Sequence, residues 1–473
     1  MGVETGADWF VIGVSVAYMV GLAFVSYAVR RNARTAKGFT SGGTTYPAIF
    51  IGFMLMSEFI GTTASVGTAQ QAYTAGVSAA WNVAVLGIGF LLYAWLLARK
   101  FNESGENTIS AAMAKFYGNK VKLATSIIMI CALQIVAIST YGSGGAVLAP
   151  LLSVDRSTAI IITGVVAVLY VSLGGMSSVI YTNVIHAILK YVGVLLALGF
   201  AIWMAGGTTH IVEVAPAKMF SISGVGWDQV FAWLVAGVGA VFSTQYVVQA
   251  ISTVPDGAKA TRASFYAAVL LVPFGIAAAL IGVAASVAFP GIKPLQAFPE
   301  VIDHMGDLPA AIVVAGLAGS LFGTISALSI GTATLIYKDF YLPITGKTGD
   351  DRSSLMFVRV LTIVVGLLPI PLAIMSTQVV AVTFLAKSLR AALAVLVLLM
   401  FYAPRYGSKQ GAFVSIILSL LGTIAWYLAG NPFGIDNAFI AVGTPIVVMT
   451  ISHFLRPPSQ DVEVSPDAPV LQR

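Results

Sequence analysis

The chain has 473 residues, 58% hydrophobic and only 9% charged, with 25 Lys and Arg against 19 Asp and Glu. A soluble domain carries about 25% charged residues, so this chain has too little charge to wet a water-soluble body, and lipid must be the solvent for most of its surface. The single cysteine, Cys131, excludes an intramolecular disulfide and a thiolate metal cluster.

In chain order, apolar stretches of about 20 residues, the length that crosses a bilayer, lie at 9–29, 46–71, 77–98, 123–150, 157–175, 177–205, 229–252, 263–289, 308–336, 355–376, 379–403, 410–429 and 437–455. They predict an all-α polytopic membrane protein with about thirteen transmembrane helices, forming one integral membrane domain over residues 1–473. The first stretch follows Glu4 and Asp8 instead of a basic region and is too long for a signal-peptide core, so it is expected to be retained. With the N-terminus placed outside, eighteen bases fall in loops that become cytoplasmic and only Arg156, Lys218 and Lys293 in the opposite loops. The positive-inside rule then puts the C-terminus in the cytoplasm. The net charge of +6 is therefore a topology signal, not a nucleic-acid interface. The loops are too short for a separate soluble domain, and the proline-rich, polar segment 456–473 is expected to be a disordered cytoplasmic tail.

The second stretch contains Ser57-Glu58-Phe59-Ile60-Gly61-Thr62-Thr63-Ala64-Ser65-Val66-Gly67-Thr68, far richer in Gly, Ser and Thr than its neighbours. Five spans later, Ala236-Gly237-Val238-Gly239-Ala240-Val241-Phe242-Ser243-Thr244-Gln245 repeats the theme. Small residues also serve close helix packing. Two such segments at corresponding places of two five-helix halves point instead to interrupted helices 2 and 7 of an inverted-repeat transporter. Backbone freed by a break at membrane depth must be met by an ion, a solute or cavity water.

Glu58 is the only carboxylate deep in a span, and intramembrane acids are functional by default. Three bases lie at comparable depth: Lys190 on the sixth span, and Lys387 and Arg390 on the eleventh. Asn183, His186 and Lys190, three and four residues apart, form one polar stripe that should face the interior. Together with Glu58 they are the candidates for coupling or proton handling. Lys387 and Arg390 share a face, and Arg390 reaches the depth of Glu58, so a Glu58–Arg390 pair is expected. The excess of interior positive charge points to a small organic anion, most simply a carboxylate, with Arg390 as its bidentate partner. Glu58, Lys387, Ser243, Thr244, Gln245 and Gln134 complete the substrate-binding candidates.

Further landmarks are Gln71-Ala72-Tyr73-Thr74-Ala75-Gly76, Tyr170-Val171-Ser172-Leu173-Gly174-Gly175 running into Tyr181-Thr182-Asn183, Thr244-Gln245-Tyr246-Val247-Val248-Gln249 followed by Lys259-Ala260, and Lys338-Asp339-Phe340-Tyr341 closing the ninth span. In their order and spacing the sequence resembles the sodium/solute symporter family, whose members include bacterial sodium/proline and sodium/sialic acid symporters and sodium/glucose transporters. The resemblance implies a five-plus-five inverted-repeat core of ten helices, spans two to eleven, that opens alternately to each side. It also implies a Na⁺ site made of carbonyls at the second-span break, here Ser57 and Ile60, with the ninth-span positions Ser320, Gly323 and Thr324. Three positions depart from the pattern. Gly323 has no hydroxyl, Asn183 stands where members often carry an aspartate, and the tyrosine gate of some sugar transporters falls near Gly239 and Ala240, which disfavours a sugar.

The expected function is thus cation-coupled symport of a small organic solute in a bacterial inner membrane, with Na⁺ as the coupling ion. The alternative is a proton-coupled or sodium-independent version of the same machine, in which H⁺ is handled by Glu58 aided by His186. An enzyme is not expected: the four histidines form no HExxH pair, and no GxxxxGK[ST] loop would power an ATP-driven pump. A channel or membrane sensor remains the reading from another class.

Overall fold

A computed structural model describes residues 9–29, 34–42, 45–346, 352–376 and 379–455. The expected tail 456–473 lies outside the described residues, as do Arg30, Arg31 and Lys347 of the basic loops. Among the described residues every regular element is helical. The main helices are α1 (Trp9–Val29), α2 (Ala48–Phe59), α3 (Thr68–Ala75), α4 (Trp81–Leu96), α5 (Ile109–Tyr117), α6 (Asn119–Leu152), α7 (Arg156–Met204), α8 (Trp227–Ser243), α9 (Gln245–Ile251), α10 (Gly257–Ala288), α11 (Asp307–Ile336), α12 (Arg352–Leu367), α13 (Val379–Tyr402), α14 (Lys409–Leu428) and α15 (Asn437–Phe454). Polar loop residues start several of them. The side chains of Thr108, Asp155, Asp256 and Ser408 each accept a hydrogen bond from the backbone N–H three residues on, capping α5, α7, α10 and α14.

Ten helices are long and apolar enough to cross a membrane, eleven if the bent pair α8 and α9 is one span. The sequence suggested about thirteen. The difference arises where the chain breaks: Ala48–Phe59 and Arg156–Leu169 are apolar helices too short to qualify alone. Within α7 the break is at Gly175, whose φ of 58° and ψ of −152° leave the helical region. A Cβ there would also lie 2.7 Å from the Phe39 carbonyl oxygen, so only glycine fits.

The surface and interior are reversed relative to a soluble protein. Large apolar side chains such as Trp95, Trp203 and Leu421 are exposed on the outside, while Glu58, Lys190, Lys387 and Arg390 are buried within. Such a surface is stable only against lipid, and the chain is an integral membrane protein. At the centre stands α11, whose membrane-crossing stretch is 94% buried against 17% for the peripheral α1. Close approach of α7 explains its glycines. A Cβ at Gly316 would lie 3.0 Å from the Leu189 carbonyl, one at Gly319 2.4 Å from His186 Nδ1, and one at Gly323 2.5 Å from Asn183 Oδ1.

Beyond the C-terminal end of α11, buried Asp339 forms a 3.1 Å ion pair with Lys122 and accepts hydrogen bonds from Ser110 and Ser126. Lys338 donates to the side chain of Asn107. These bonds fasten α5 and the start of α6 to the central helix.

Candidate solute and cation site

The second span breaks at Ile60, whose φ of −97° and ψ of 66° end α2, and it resumes through a wide helical turn, Thr63–Gly67, into α3. The break deprives carbonyls of helical partners, and at membrane depth these must be met from within the protein. Lys190 Nζ, from α7, donates to the Ser57 carbonyl at 2.7 Å and to Ser57 Oγ at 2.9 Å. Ser320 Oγ, from α11, donates to the Ile60 carbonyl at 2.6 Å. Thr62 Oγ1 lies 2.5 Å from Ser143 Oγ and donates to the Thr140 carbonyl, tying the break to α6.

Asn183 links these groups to the acid. Its Oδ1 accepts from Ser57 Oγ at 2.7 Å, and its Nδ2 donates to Glu58 Oε1 at 2.6 Å and to the Val179 carbonyl at 3.0 Å. Glu58 Oε2 is buried without a hydrogen-bond partner. The predicted stripe of Asn183, His186 and Lys190 is buried as a whole. Its members part company, however: His186 turns to α1, where Nδ1 meets the Tyr18 hydroxyl at 2.6 Å, and its buried Nε2 has no partner.

The seventh span breaks at Thr244, an extended residue between α8 and α9, which bend by 46°. Thr244 Oγ1 donates to the Ala240 carbonyl and accepts from Arg390 Nη1 at 2.9 Å. Arg390 Nε donates to the Ala386 carbonyl at 3.1 Å, and the Tyr246 hydroxyl lies beside the guanidinium. One turn earlier on α13, Lys387 Nζ lies 3.2 Å from Asn82 Oδ1 and 4.0 Å from the centre of the Phe384 ring.

Between the two breaks is a cavity of about 40 Å³ lined by Glu58, Gly61, Thr63, Asn82, Ser139, Thr140, Tyr246, Thr324, Thr383, Lys387 and Arg390, among others. That volume holds a few water molecules. It is far below the roughly 300–1,000 Å³ of a small-molecule pocket, so the protein is in a state closed around the site.

The cavity brings together Glu58, Thr324, Lys387 and Arg390 from the residues singled out in the sequence, with Ser57, Ile60, Asn183, Lys190 and Ser320 packed behind it at the break. Ser243, Gln245 and Gln134 do not line it. Ser243 Oγ binds the Arg390 carbonyl at 2.6 Å, Gln245 holds Asn107 and the start of α5, and Gln134 Nε2 lies 3.4 Å from Thr332 Oγ1. The expected Glu58–Arg390 ion pair is not formed: Asn183 takes the carboxylate, and Thr244 with the Ala386 carbonyl takes the guanidinium. Sequence reasoning missed Asn82, Tyr246, Thr383 and the Ser139–Thr140 pair. Thr383 was visible in principle, because with Lys387 and Arg390 it continues one polar face at spacings of four and three.

A model of the sodium:solute symporter family matches residues 39–419. The chain belongs to that family. It is accordingly a membrane transporter and not an enzyme, working by cation-coupled symport. Among solved structures, it resembles a Na⁺-coupled sialic acid symporter in a substrate-bound outward-open state, with a TM-score of 0.83 at 18% identity over 97% of this chain and 100% of that one. It also resembles Mhp1, a nucleobase-cation-symport-1 family transporter, in a closed conformation, with a TM-score of 0.60 at 16% identity over 90% and 96% of the two chains. MhsT in complex with L-phenylalanine gives 0.56 at 15% identity over 85% and 98%. At these identities the likeness shows a shared transporter fold.

Family membership raises the question of whether the Ser57, Ile60, Ser320 and Thr324 set fits a sodium ion. A hard cation needs several oxygens converging on one point. In this symporter the Ser57 carbonyl and hydroxyl both face Lys190 Nζ. Gly323 supplies no oxygen, and the space for a side chain there is filled by Asn183. Thr324 Oγ1 alone is buried without a partner. With Lys190 Nζ on both Ser57 oxygens, the donor set does not fit a sodium ion at this position.

Proposed function

We propose that this symporter carries a small organic carboxylate, bound in the cavity between the two breaks with its carboxylate on Arg390 and Lys387 beside it. The observation that carries the reading is the pair of buried bases, Lys387 and Arg390, 5% and 2% exposed, which line the cavity. Among the described residues no carboxylate lies within ion-pairing distance of either. The two bases outnumber the one acid of the cavity, Glu58, and uncompensated buried charge is costly at membrane depth, so a solute carboxylate brings the missing negative charge. Arg390 uses Nε and Nη1 within the protein. The Tyr246 hydroxyl lies beside the guanidinium, which still lines the cavity, and a guanidinium fork matches a carboxylate bidentately.

Glu58 also lines the cavity, with Oε2 unpartnered, and sets where the anion can sit: a carboxylate is repelled from the second-span break and drawn toward α13. Because the cavity in this closed state is too small for a whole solute, uptake requires α13 and the broken helices to part, first on one side and then on the other. The membrane is a bacterial inner membrane, with the N-terminus outside and the C-terminus in the cytoplasm. Uptake of radiolabelled carboxylates into proteoliposomes tests the reading. Arg390→Met should weaken carboxylate recognition about 10- to 100-fold, the weight of one or two charge-assisted hydrogen bonds. Unchanged affinity for a transported carboxylate would sink it.

A further inference from the structure

We propose that Lys190 is a built-in cation: its Nζ holds the position between the second-span break and α11 that a sodium ion would take, and the protein keeps no sodium ion there. Four observations carry this. Nζ sits on oxygens that an alkali cation would use, the carbonyl freed by the break at Ser57 and the hydroxyl of the same residue, at 2.7 and 2.9 Å. Among the described residues no carboxylate comes within ion-pairing distance of Lys190; Glu58 attracts it from farther off, across Ser57 and Asn183, and the atoms that Nζ touches directly are neutral oxygens. The space around it, lined by Ser65, Lys190, Phe274, Gly316, Leu317 and Ser320 among others, amounts to about 10 Å³, room for one water at most, which leaves no room for a hydrated ion beside the amine. The fourth is the altered far wall, where Asn183 Oδ1 fills the place a side chain at position 323 would need.

The backbone is shaped for this reach. Gly316 lets α7 approach so closely that a Cβ there would lie 3.0 Å from the carbonyl of Leu189, next to Lys190. The charge at the break is therefore covalently tethered. It cannot dissociate into solution as a bound ion would, and the second span can move away from the sixth only by breaking the Lys190–Ser57 bonds.

The inference rests on the family fold and goes beyond the carboxylate proposal, so either can fail alone. The test counts ²²Na⁺ bound to purified protein without any solute. Thr324→Ala, which needs no change at Lys190, should bind as much ²²Na⁺ as the wild type. Lys190→Ala should bind one more ion per protein than the wild type, and the double variant Lys190→Ala/Thr324→Ala should lose that extra ion. Loss of one ion in Thr324→Ala alone, or equal counts in a folded Lys190→Ala and the wild type, would overturn the proposal. Because differences are read, sodium bound elsewhere cancels, and the Thr324→Ala comparison stands even if Lys190→Ala does not fold.

Discussion

Two residues that look like separate departures from the family pattern lie against one another. Gly323 lacks a hydroxyl and Asn183 replaces an acid, and the structure sets the Asn183 amide in the space a side chain at 323 would occupy. Sequence alone exposes each change but not their contact, because they lie 140 positions apart and no periodicity connects α7 to α11. Adding a methyl group there overpacks a filled interior. Gly323→Ala should destabilise the protein by about 1–3 kcal/mol, and by less in an Asn183→Ala background. A double-mutant cycle read by thermal unfolding checks this, and equal losses in both backgrounds would show that the two residues do not compete for one space. The other interior side chains were more legible. A charge or amide in an apolar span is conspicuous, and Glu58, Lys190, Lys387 and Arg390 are all buried at the breaks. Their partners were not legible: Glu58 and Arg390 face one cavity but bind Asn183 and Thr244.

At the scale of elements, richness in Gly, Ser and Thr marked both interrupted spans, but not the residue at which each opens. The glycines of the seventh span serve packing instead. A Cβ at Gly237 would meet Val85 at 2.6 Å and one at Gly239 would meet Ala391 at 2.4 Å, while the chain opens at Thr244. The short helix α5 is tied through Ser110 to Asp339, which also holds Lys122 and Ser126 at the start of α6. Asp339→Asn removes the charge from this clamp, and the backbone amides of Ile109–Tyr117 should exchange hydrogen faster than in the wild type while those at the centre of α11 do not change. Exchange unaltered at α5 would mean that the clamp does not govern local opening there.

For the molecule as a whole, composition and hydropathy made the membrane assignment legible, since 9% charged residues cannot clothe a soluble surface. The count of spans was less so. The break after Phe59 and the turn at Gly175 divide apolar sequence into helices of unequal length, so there are more apolar stretches than unbroken helices long enough to span. The proposed orientation rests on where the bases lie, and under it a reporter fused to the C-terminus should be active only in a cytoplasmic form. Activity of an external reporter would reverse the topology and, with it, the side on which the Asp339 clamp acts.

The central claim, that a carboxylate completes the charge of the cavity at Arg390, is tested most directly by the thermal stability of purified wild type and Arg390→Met across carboxylates, amino acids and sugars at constant ionic strength. A ligand that binds the native state raises its stability by mass action. The account predicts that carboxylate-bearing solutes raise the melting temperature of the wild type and leave that of Arg390→Met unmoved. Stabilisation by neutral or cationic solutes alone, or a carboxylate shift that survives in Arg390→Met, would contradict it.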